Sequence, residues 1–311
     1  MKGASDKTKL KDMRQDSSTY RKRKIKIDGA KETIFKKRKI RTRMSDLESF
    51  AGAAGHSGGI LKAKNGHLLK IFHEENSNEP EFLSNLPSDD PLRPYTAEFY
   101  GIREISGSKY LELENLTEDC QSPSVMDIKL GKKTFIHDPK NNAERADLFS
   151  KMQKLDPTSL TPEELSSGTV TKSRYLQFRD DLSTTSMYGF RIEGISFSKD
   201  VESTFQKPEK IELQRMSKDS ALENFGKFVD GNKLEKSEVL EKLKNLRQAV
   251  TDSSYLKNHQ LIGCSLLFIA DSQTLRLKLI DFAKSKKFES EEEKDDSWRT
   301  GLDNLISEIE Q

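Results

Sequence analysis

The chain has 311 residues, of which 33% are apolar and 33% charged, so it is long enough to bury one large core or two small ones while leaving part of its length unpacked. The most apolar window, residues 261–270, is about half a bilayer span, and a membrane helix is not expected. The first residues lack the apolar stretch of a secretory leader, and Cys120 and Cys264 are too few for a disulfide framework or a Cys-rich zinc site, which points to a reducing, intracellular compartment.

The net charge of +2 hides an asymmetry. Residues 1–43 hold 17 Lys or Arg against 5 Asp or Glu, so a tail near +12 precedes a body near −10. Residues 1–45 read as a disordered basic tail, because such a composition cannot bury enough apolar area to offset ordering entropy. Its clusters, RKRKIK at 21–26 and KKRKIRTR at 36–43, suit an import receptor or an anionic surface, with the chain expected in cytoplasm, nucleus or both. No clear calmodulin helix is present, since Gly29 interrupts the segment and Phe35 is the one bulky aromatic beyond Tyr20.

From about residue 46 to 120 the pattern is β-rich. Glycines at 52, 55, 58 and 59 punctuate a segment that runs into GHLLKIF at 66–72, read as two strands joined by turns. Residues 74–94, rich in Asn, Pro and Asp, read as a loop. Residues 99–105 and 109–116 then supply further strands of one antiparallel sheet. Residues 121–311 shift towards helices, with amphipathic stripes at Leu148, Phe149, Met152 and Leu155, at Val239 to Val250 after a Ser237 cap, and at Trp298 to Ile309. A small β-rich lobe before a larger mixed lobe is the general plan of a two-lobed kinase.

Most catalytic signatures are absent: no GxxxxGK[ST], HExxH, GxSxG or CxxC occurs, and the five histidines show no ligand spacing. The informative stretch is PSVMDIKLGKKT at 123–134. As a strand it places Val125, Asp127 and Lys129 on one face and Met126, Ile128 and Leu130 on the other, with the carboxylate and the ammonium about 7 Å apart. Taken alone, this pattern fits a surface ion pair equally well. Residues 265–270 and 275–281 read as a hairpin around DSQT at 271–274, which returns Cys264 and Ser265 beside Asp281; which of the two faces the carboxylate depends on the register. An aspartate closing an apolar strand, with a hydroxyl beside it, is one way to present oxygen ligands to Mg2+; capping the next turn is the other reading. As a helix, KSRYLQFRDDL at 172–182 puts Lys172, Tyr175 and Arg179 within about 60° of one another. Two cations and a phenol there form either a phosphate reader or a solvated face. TPEE at 161–164 has the capping-box spacing of a short extra helix.

With these residues in view, the chain resembles the inositol polyphosphate kinases, whose PxxxDxKxG signature is Pro123, Asp127, Lys129 and Gly131 here. The likeness extends from about 50 to 306 through AGHSGG (54–59), DPLRPYTAEFYG (90–101), TVTKSRYLQFRD (169–180), STTSMYGFRIEGI (183–195), IGCSLLFIAD (262–271), LIDFAKS (279–285) and GLDNLI (301–306). The segment between Gly131 and Gly189, with its KMxxxDP, TPEE and VTKxRYxQxR pattern, is most similar to the inositol 1,4,5-trisphosphate 3-kinases. The resemblance implies an α+β, two-lobed, protein-kinase-like fold with a helical substrate-binding insert at 140–185, and ATP and Mg2+ as cofactors. It assigns Lys70, and more weakly Lys62, to the ATP phosphates and the backbone at Glu112, Leu113 and Glu114 to adenine. Asp127 would bind the ribose, Lys129 would bridge the γ-phosphate and the accepting hydroxyl, and Asp281 with Ser265 would hold Mg2+. Met152, Lys172, Tyr175 and Arg179 would shape and charge the site for inositol 1,4,5-trisphosphate or related inositol polyphosphates.

Three positions depart from the 3-kinase pattern: Ser196 where Lys follows FRIEGI, Cys264 within GCS, and Ala283 within IDFAK. Ser196 removes a cation expected at a substrate phosphate, and Ala283 is the form usual in the sister kinases. Both leave open a multikinase of broader specificity. An inactive nuclear scaffold is the alternative from another class, set against the retention of Lys70, Asp127, Lys129 and Asp281.

Overall fold

Alternation of apolar and polar residues builds two antiparallel sheets in this computed structural model, which describes residues 47–50, 59–137, 142–288 and 296–311. The basic tail and most of AGHSGG lie outside the described residues. The upper sheet contains β1 (Leu47–Ser49), β2 (Ile60–Ala63), β3 (Leu68–Ile71), β4 (Phe99–Ile105) and β5 (Ser108–Leu113), in the order β1-β2-β3-β5-β4. Its own core is small: Ala63, Leu69, Ile105 and Tyr110.

Between β3 and β4, the stretch read as a loop instead contains helix α1 (Glu79–Asn85). Pro80 in its first turn is tolerated because that amide has no partner inside the helix, and Phe82 and Leu83 are buried in the main core. The helix is anchored by tertiary burial, which a local reading of Asn and Pro content cannot register.

The lower sheet, in the order β12-β11-β6-β9, is formed by β6 (Ser124–Leu130), β9 (Phe190–Ser196), β11 (Ser265–Asp271) and β12 (Thr274–Ile280). Met126, Ile128, Leu130, Ile192, Leu266, Phe268, Leu277 and Leu279 give it one apolar face. After β9 come the short helices α6 (Lys199–Glu202) and α7 (Lys210–Gln214), and β10 (His259–Gln260) pairs with β13 (Lys286–Lys287) in a small separate ribbon. Residues of α8 (Lys218–Gly231), α9 (Lys236–Asp252) and α10 (Ser297–Glu310), among them Phe228, Leu243, Trp298 and Leu305, complete the core of the lower sheet. The α9 stripe follows its expected spacing, although the helix starts before Ser237, with Glu235 at the N-cap. Gly301 lets α10 approach the start of β9: a Cβ there would lie 1.9 Å from the Gly189 carbonyl oxygen.

The hairpin between β11 and β12 turns on Ser272 and Gln273, both at positive φ, as the right-handed twist of paired strands demands of a two-residue turn. Its register settles the choice left open by sequence. Ser265 pairs with Ile280 and, on the other side, with Lys129, while Cys264 is buried in the apolar core.

Between β6 and β9 lies the insert: β7 (Glu144–Arg145), α2 (Ala146–Leu155), α3 (Pro162–Ser167), β8 (Val170–Thr171), α4 (Lys172–Leu182) and α5 (Thr185–Tyr188). Thr161 and Glu164 exchange the two hydrogen bonds of a capping box at the start of α3. The Thr171 hydroxyl accepts from the Arg174 amide and starts α4. No helix among the described residues is long and apolar enough to cross a membrane.

Candidate active site

Strand alternation decides which side chains leave the lower sheet on the face opposite its helices. The paired residues form rows across that face: Ile280, Ser265, Lys129 and Arg191 in one, then Lys278, Leu267, Asp127 and Gly194 in the next. β6 therefore carries Asp127 and Lys129 together, as the period of two requires, with Met126, Ile128 and Leu130 fixing the strand from behind.

Asp281 closes β12 in the left-handed region, at φ +67°. Aspartate is among the few residues besides glycine that occupy this region, and such backbone states concentrate at functional sites. The conformation brings the Asp281 carboxylate to Lys129, whose Nζ lies 3.9 Å from Oδ2 and donates to the Gly263 carbonyl at 3.0 Å. From the upper sheet, Lys70 Nζ donates to Asp281 Oδ1 at 2.7 Å and to both oxygens of Glu79 on α1, at 3.0 and 2.8 Å. Burial alone would lower the Lys70 pKa, but Glu79 and Asp281 more than reverse this and hold it above the ordinary lysine value. Burial would likewise raise Asp281; the charges of Lys70 and Lys129 outweigh it and keep the carboxyl below its usual range. Asp127 is pushed up to about 6 by burial, against the pull of Lys129.

Two buried oxygens here, Asp127 Oδ1 and Ser265 Oγ, make no well-formed hydrogen bond among the described residues, although the Ser265 hydroxyl lies near enough to Asp127 to favour its charged form against burial. An orphaned buried oxygen costs about 1–3 kcal/mol, so a pair of them on one face marks a place for a ligand that can satisfy them. No cluster of three or more His, Cys, Asp or Glu suited to a metal ion occurs among the described residues. The oxygens of Asp281 and Ser265 are of the kind a hard divalent ion takes when its other ligands come from phosphates and water.

A second group of charges adjoins the first. Lys284 Nζ donates to the Thr134 carbonyl at 2.8 Å, and burial, followed by the charges of Lys129 and Lys172, pushes its pKa down to about 8. Thr134 donates from its amide and hydroxyl to Asp180 at 2.9 and 2.7 Å. Asp180 Oδ1 also accepts from Arg191 Nη1 at 2.7 Å, and Arg191 Nε donates to Glu193 at 2.8 Å. Lys172 is exposed at the start of α4, whereas Arg179 is buried with its Nε unpartnered among the described residues.

Several residues assigned from sequence have other neighbours in the structure. Met152 has no exposed surface, and Tyr175 packs beside it with Leu148, Leu155, Leu160, Val170 and Phe178. Both belong to the apolar core of the insert, where α2 and α4 bury the stripes they share. Lys62 is engaged by Glu118 at 2.8 Å and does not join Lys70. Glu112 and Leu113 lie inside β5, paired on both edges, and the Glu112 carboxylate accepts from Arg103 and Asn65. Of the three adenine-binding candidates only Glu114 lies beyond the strand, and its amide already donates to the Glu98 carbonyl at 2.9 Å. The sequence reading missed Glu79, Asp180, Lys284, Arg191 and Glu193. Arg191 and Glu193 had a signal, being charges in the otherwise apolar strand FRIEGI; Glu79 sat in the misread loop.

Residues 110–310 match the family described as inositol polyphosphate kinase. The chain belongs to that family. It is 34% identical over 271 residues to inositol-trisphosphate 3-kinase C of Mus musculus, covering 81% of this chain and 38% of the mouse protein. To the inositol-trisphosphate 3-kinase homolog of Caenorhabditis elegans it is 30% identical over 280 residues, 85% of this chain and 56% of the worm protein. The matched region thus spans roughly two fifths of the mouse relative's length. A crystal structure of an inositol phosphate multikinase from S. cerevisiae, in complex with ADP and Mn2+, shares the fold: TM-score 0.54 and 17% identity over 78% of this chain and 98% of that one. The fold is accordingly the kinase-like α+β arrangement of this family.

Proposed function

We propose that this protein is an ATP-dependent kinase acting on a hydroxyl of a soluble inositol polyphosphate, with the 3-hydroxyl of inositol 1,4,5-trisphosphate as acceptor and the 1,3,4,5-tetrakisphosphate as product. One observation carries the reading: Lys70 from one sheet and Lys129 from the other meet on Asp281, beside Asp127, whose buried Oδ1 makes no well-formed hydrogen bond among the described residues. The 3-kinase relatives at 30% identity and above support the acceptor, and the yeast multikinase bound to ADP and Mn2+ supports the nucleotide and a divalent ion.

Phosphoryl transfer has a loose transition state with charge spread over the moving group, so positioning and neutralisation outweigh covalent chemistry. Lys70 would bind nucleotide phosphate oxygens, Asp127 would accept from the ribose hydroxyls, and Asp281, with Ser265, would hold Mg2+. When bound, the ion supplies positive charge against the phosphate oxygens. Lys129 lies between Asp281 and the insert, where it can hold the accepting hydroxyl and balance charge as the bond breaks. An inositol trisphosphate brings roughly five to six negative charges, and Lys129, Lys172, Arg179 and Lys284 are the cations gathered to meet them.

The test is turnover of a panel of inositol phosphates by the full chain with Mg-ATP, with positional analysis of each product. A product phosphorylated at the 3-position from the 1,4,5-trisphosphate supports the reading, and absence of transfer to any inositol phosphate overturns it. A multikinase is the second reading. Ser196 favours it, because it stands on the site face opposite Val125, where the 3-kinase pattern has Lys; successive transfer onto tris- and tetrakisphosphates would establish it.

A further inference from the structure

β6 and β9 pair regularly as Lys129 with Arg191 and Ile128 with Ile192, then slip, so that Asp127 faces Gly194. Glu193 is the extra residue of this β-bulge. Bulges bend a strand and re-aim a side chain, and they recur beside active sites. Here the slip has two consequences. Gly194, with no side chain, is the residue opposite Asp127. Glu193 is freed from the ladder, and its carboxylate turns to Arg191, the cross-strand neighbour of Lys129, accepting from Nε at 2.8 Å.

Arg191 is fixed in turn from the insert. Its Nη1 donates to Asp180 on α4 at 2.7 Å and to the Thr185 hydroxyl at 2.9 Å. Arg179, one residue before Asp180, is buried and carries an unpartnered Nε. Glu193 feels three positive charges, from Arg191, Lys129 and Arg179, and together they outweigh its burial and hold its carboxyl low. Its contact is with the cross-strand neighbour of Lys129, the same guanidinium that Asp180 ties to the insert helix.

We propose that Glu193 is a positioning residue for the proposed phosphoryl transfer: from its bulge it fixes Lys129, on the reacting strand, relative to Arg179, on the insert, so that the accepting hydroxyl and a neighbouring phosphate are presented to both cations in one geometry. The inference rests on the kinase reading. It goes beyond charge neutralisation, since a carboxylate in an anion-binding site weakens ground-state attraction for the substrate. Its retention makes sense where geometry limits the reaction more than affinity does.

The distinguishing readout is the division of an effect between kcat and KM. Glu193→Gln keeps the shape and an acceptor for Arg191 while removing the charge. The expected result is a kcat lower by about tenfold or more, with KM for the inositol phosphate unchanged or reduced, because the net positive charge of the site rises. Glu193→Asp, which retains the charge, should recover part of the lost kcat. In a double-mutant cycle, Arg179→Met should cost less kcat in the Glu193→Gln background than in the wild type. If Glu193→Gln does not fold by circular dichroism, the same cycle is read in Glu193→Asp, where reduced coupling to Arg179 supports the role. Unchanged kcat in Glu193→Gln, a pure rise in KM, or additive losses in the cycle would overturn it while leaving the kinase assignment standing. A wild-type chain with no turnover removes both.

Discussion

The two adjoining charge clusters over the lower sheet each set aspartate carboxylate against basic side chains but are finished differently. In the cluster of Lys70, Lys129, Asp127 and Asp281, the buried Asp127 Oδ1 and Ser265 Oγ make no well-formed hydrogen bond among the described residues, and Lys129 reaches Asp281 only at 3.9 Å. In the cluster of Asp180, Arg191, Thr134 and Thr185, both Asp180 oxygens accept hydrogen bonds of 2.9 Å or shorter, and Asp180 and Arg191 are both buried. A low dielectric strengthens satisfied contacts and penalises orphaned ones. The first cluster therefore has capacity left for a ligand, and the second spends its capacity joining α4 to β9. Charge content alone does not separate a reacting site from its scaffold; the unmade hydrogen bonds do.

The largest expected effects fall one on each cluster. Lys129→Ala should lower kcat by about a thousandfold, the loss typical when one preorganised group facing developing charge is removed, with the melting temperature close to that of wild type. Asp180→Ala should behave in the opposite way. It takes away one of the two carboxylates on Arg191, which is 6% exposed and keeps Glu193, and it removes the acceptor of the buried Thr134 amide and hydroxyl; each buried donor left unsatisfied costs about 1–3 kcal/mol. Denaturant unfolding should show that loss directly. If Asp180→Ala were as stable as wild type, or if Lys129→Ala unfolded, the contrast between the clusters would fail.

A smaller effect belongs to the cations around the substrate. Lys284→Met should raise KM for the inositol phosphate about tenfold, the weight of one charge-assisted hydrogen bond of about 1.5 kcal/mol. Its pH dependence has a definite sign. The Lys284 pKa is pushed down to about 8, by burial first and then by Lys129 and Lys172, so the ammonium is lost as pH rises through 8 and attraction for phosphate falls with it. KM in the wild type should climb between pH 7 and 9. In Lys284→Met that portion of the climb should be absent, and an identical slope in the two proteins would place Lys284 outside the site.

How much of this was legible in the sequence follows the range of the physics involved. Strand alternation is local, so Asp127 and Lys129 could be placed on one face from 123–134 alone, and the capping box at Thr161 was equally plain. The hairpin at 271–274 was visible but its register was not, because a slip of one residue exchanges Cys264 for Ser265 without disturbing the local pattern. Glu79 was hidden for another reason: α1 is stabilised by contacts with residues distant in the chain, as in the stacking of Phe82 on Phe282 at 4.4 Å between ring centroids. The bulge at Glu193 depends on how β9 pairs with β6 across the whole insert, and no local periodicity reports it.

Met152 gives the smallest and most discriminating test, because the family pattern and the packing disagree about it. A residue that shapes an inositol phosphate site touches ligand, whereas Met152 is wholly enclosed by Leu148, Leu155, Leu160, Val170, Tyr175 and Phe178. Met152→Leu conserves volume, so it should cost less than about 1.5 kcal/mol in stability and leave KM for the inositol phosphate unchanged. Met152→Ala should cost about 2–5 kcal/mol through the cavity it opens, with any change in KM following the loosening of α2 against α4. A rise in KM for Met152→Leu at unaltered stability would mean that the side chain meets the substrate, and that the insert opens to expose it during binding. The insert's apolar core would then be part of the site, and the division between a ligand-facing cluster and a closed scaffold would have to be redrawn along α2.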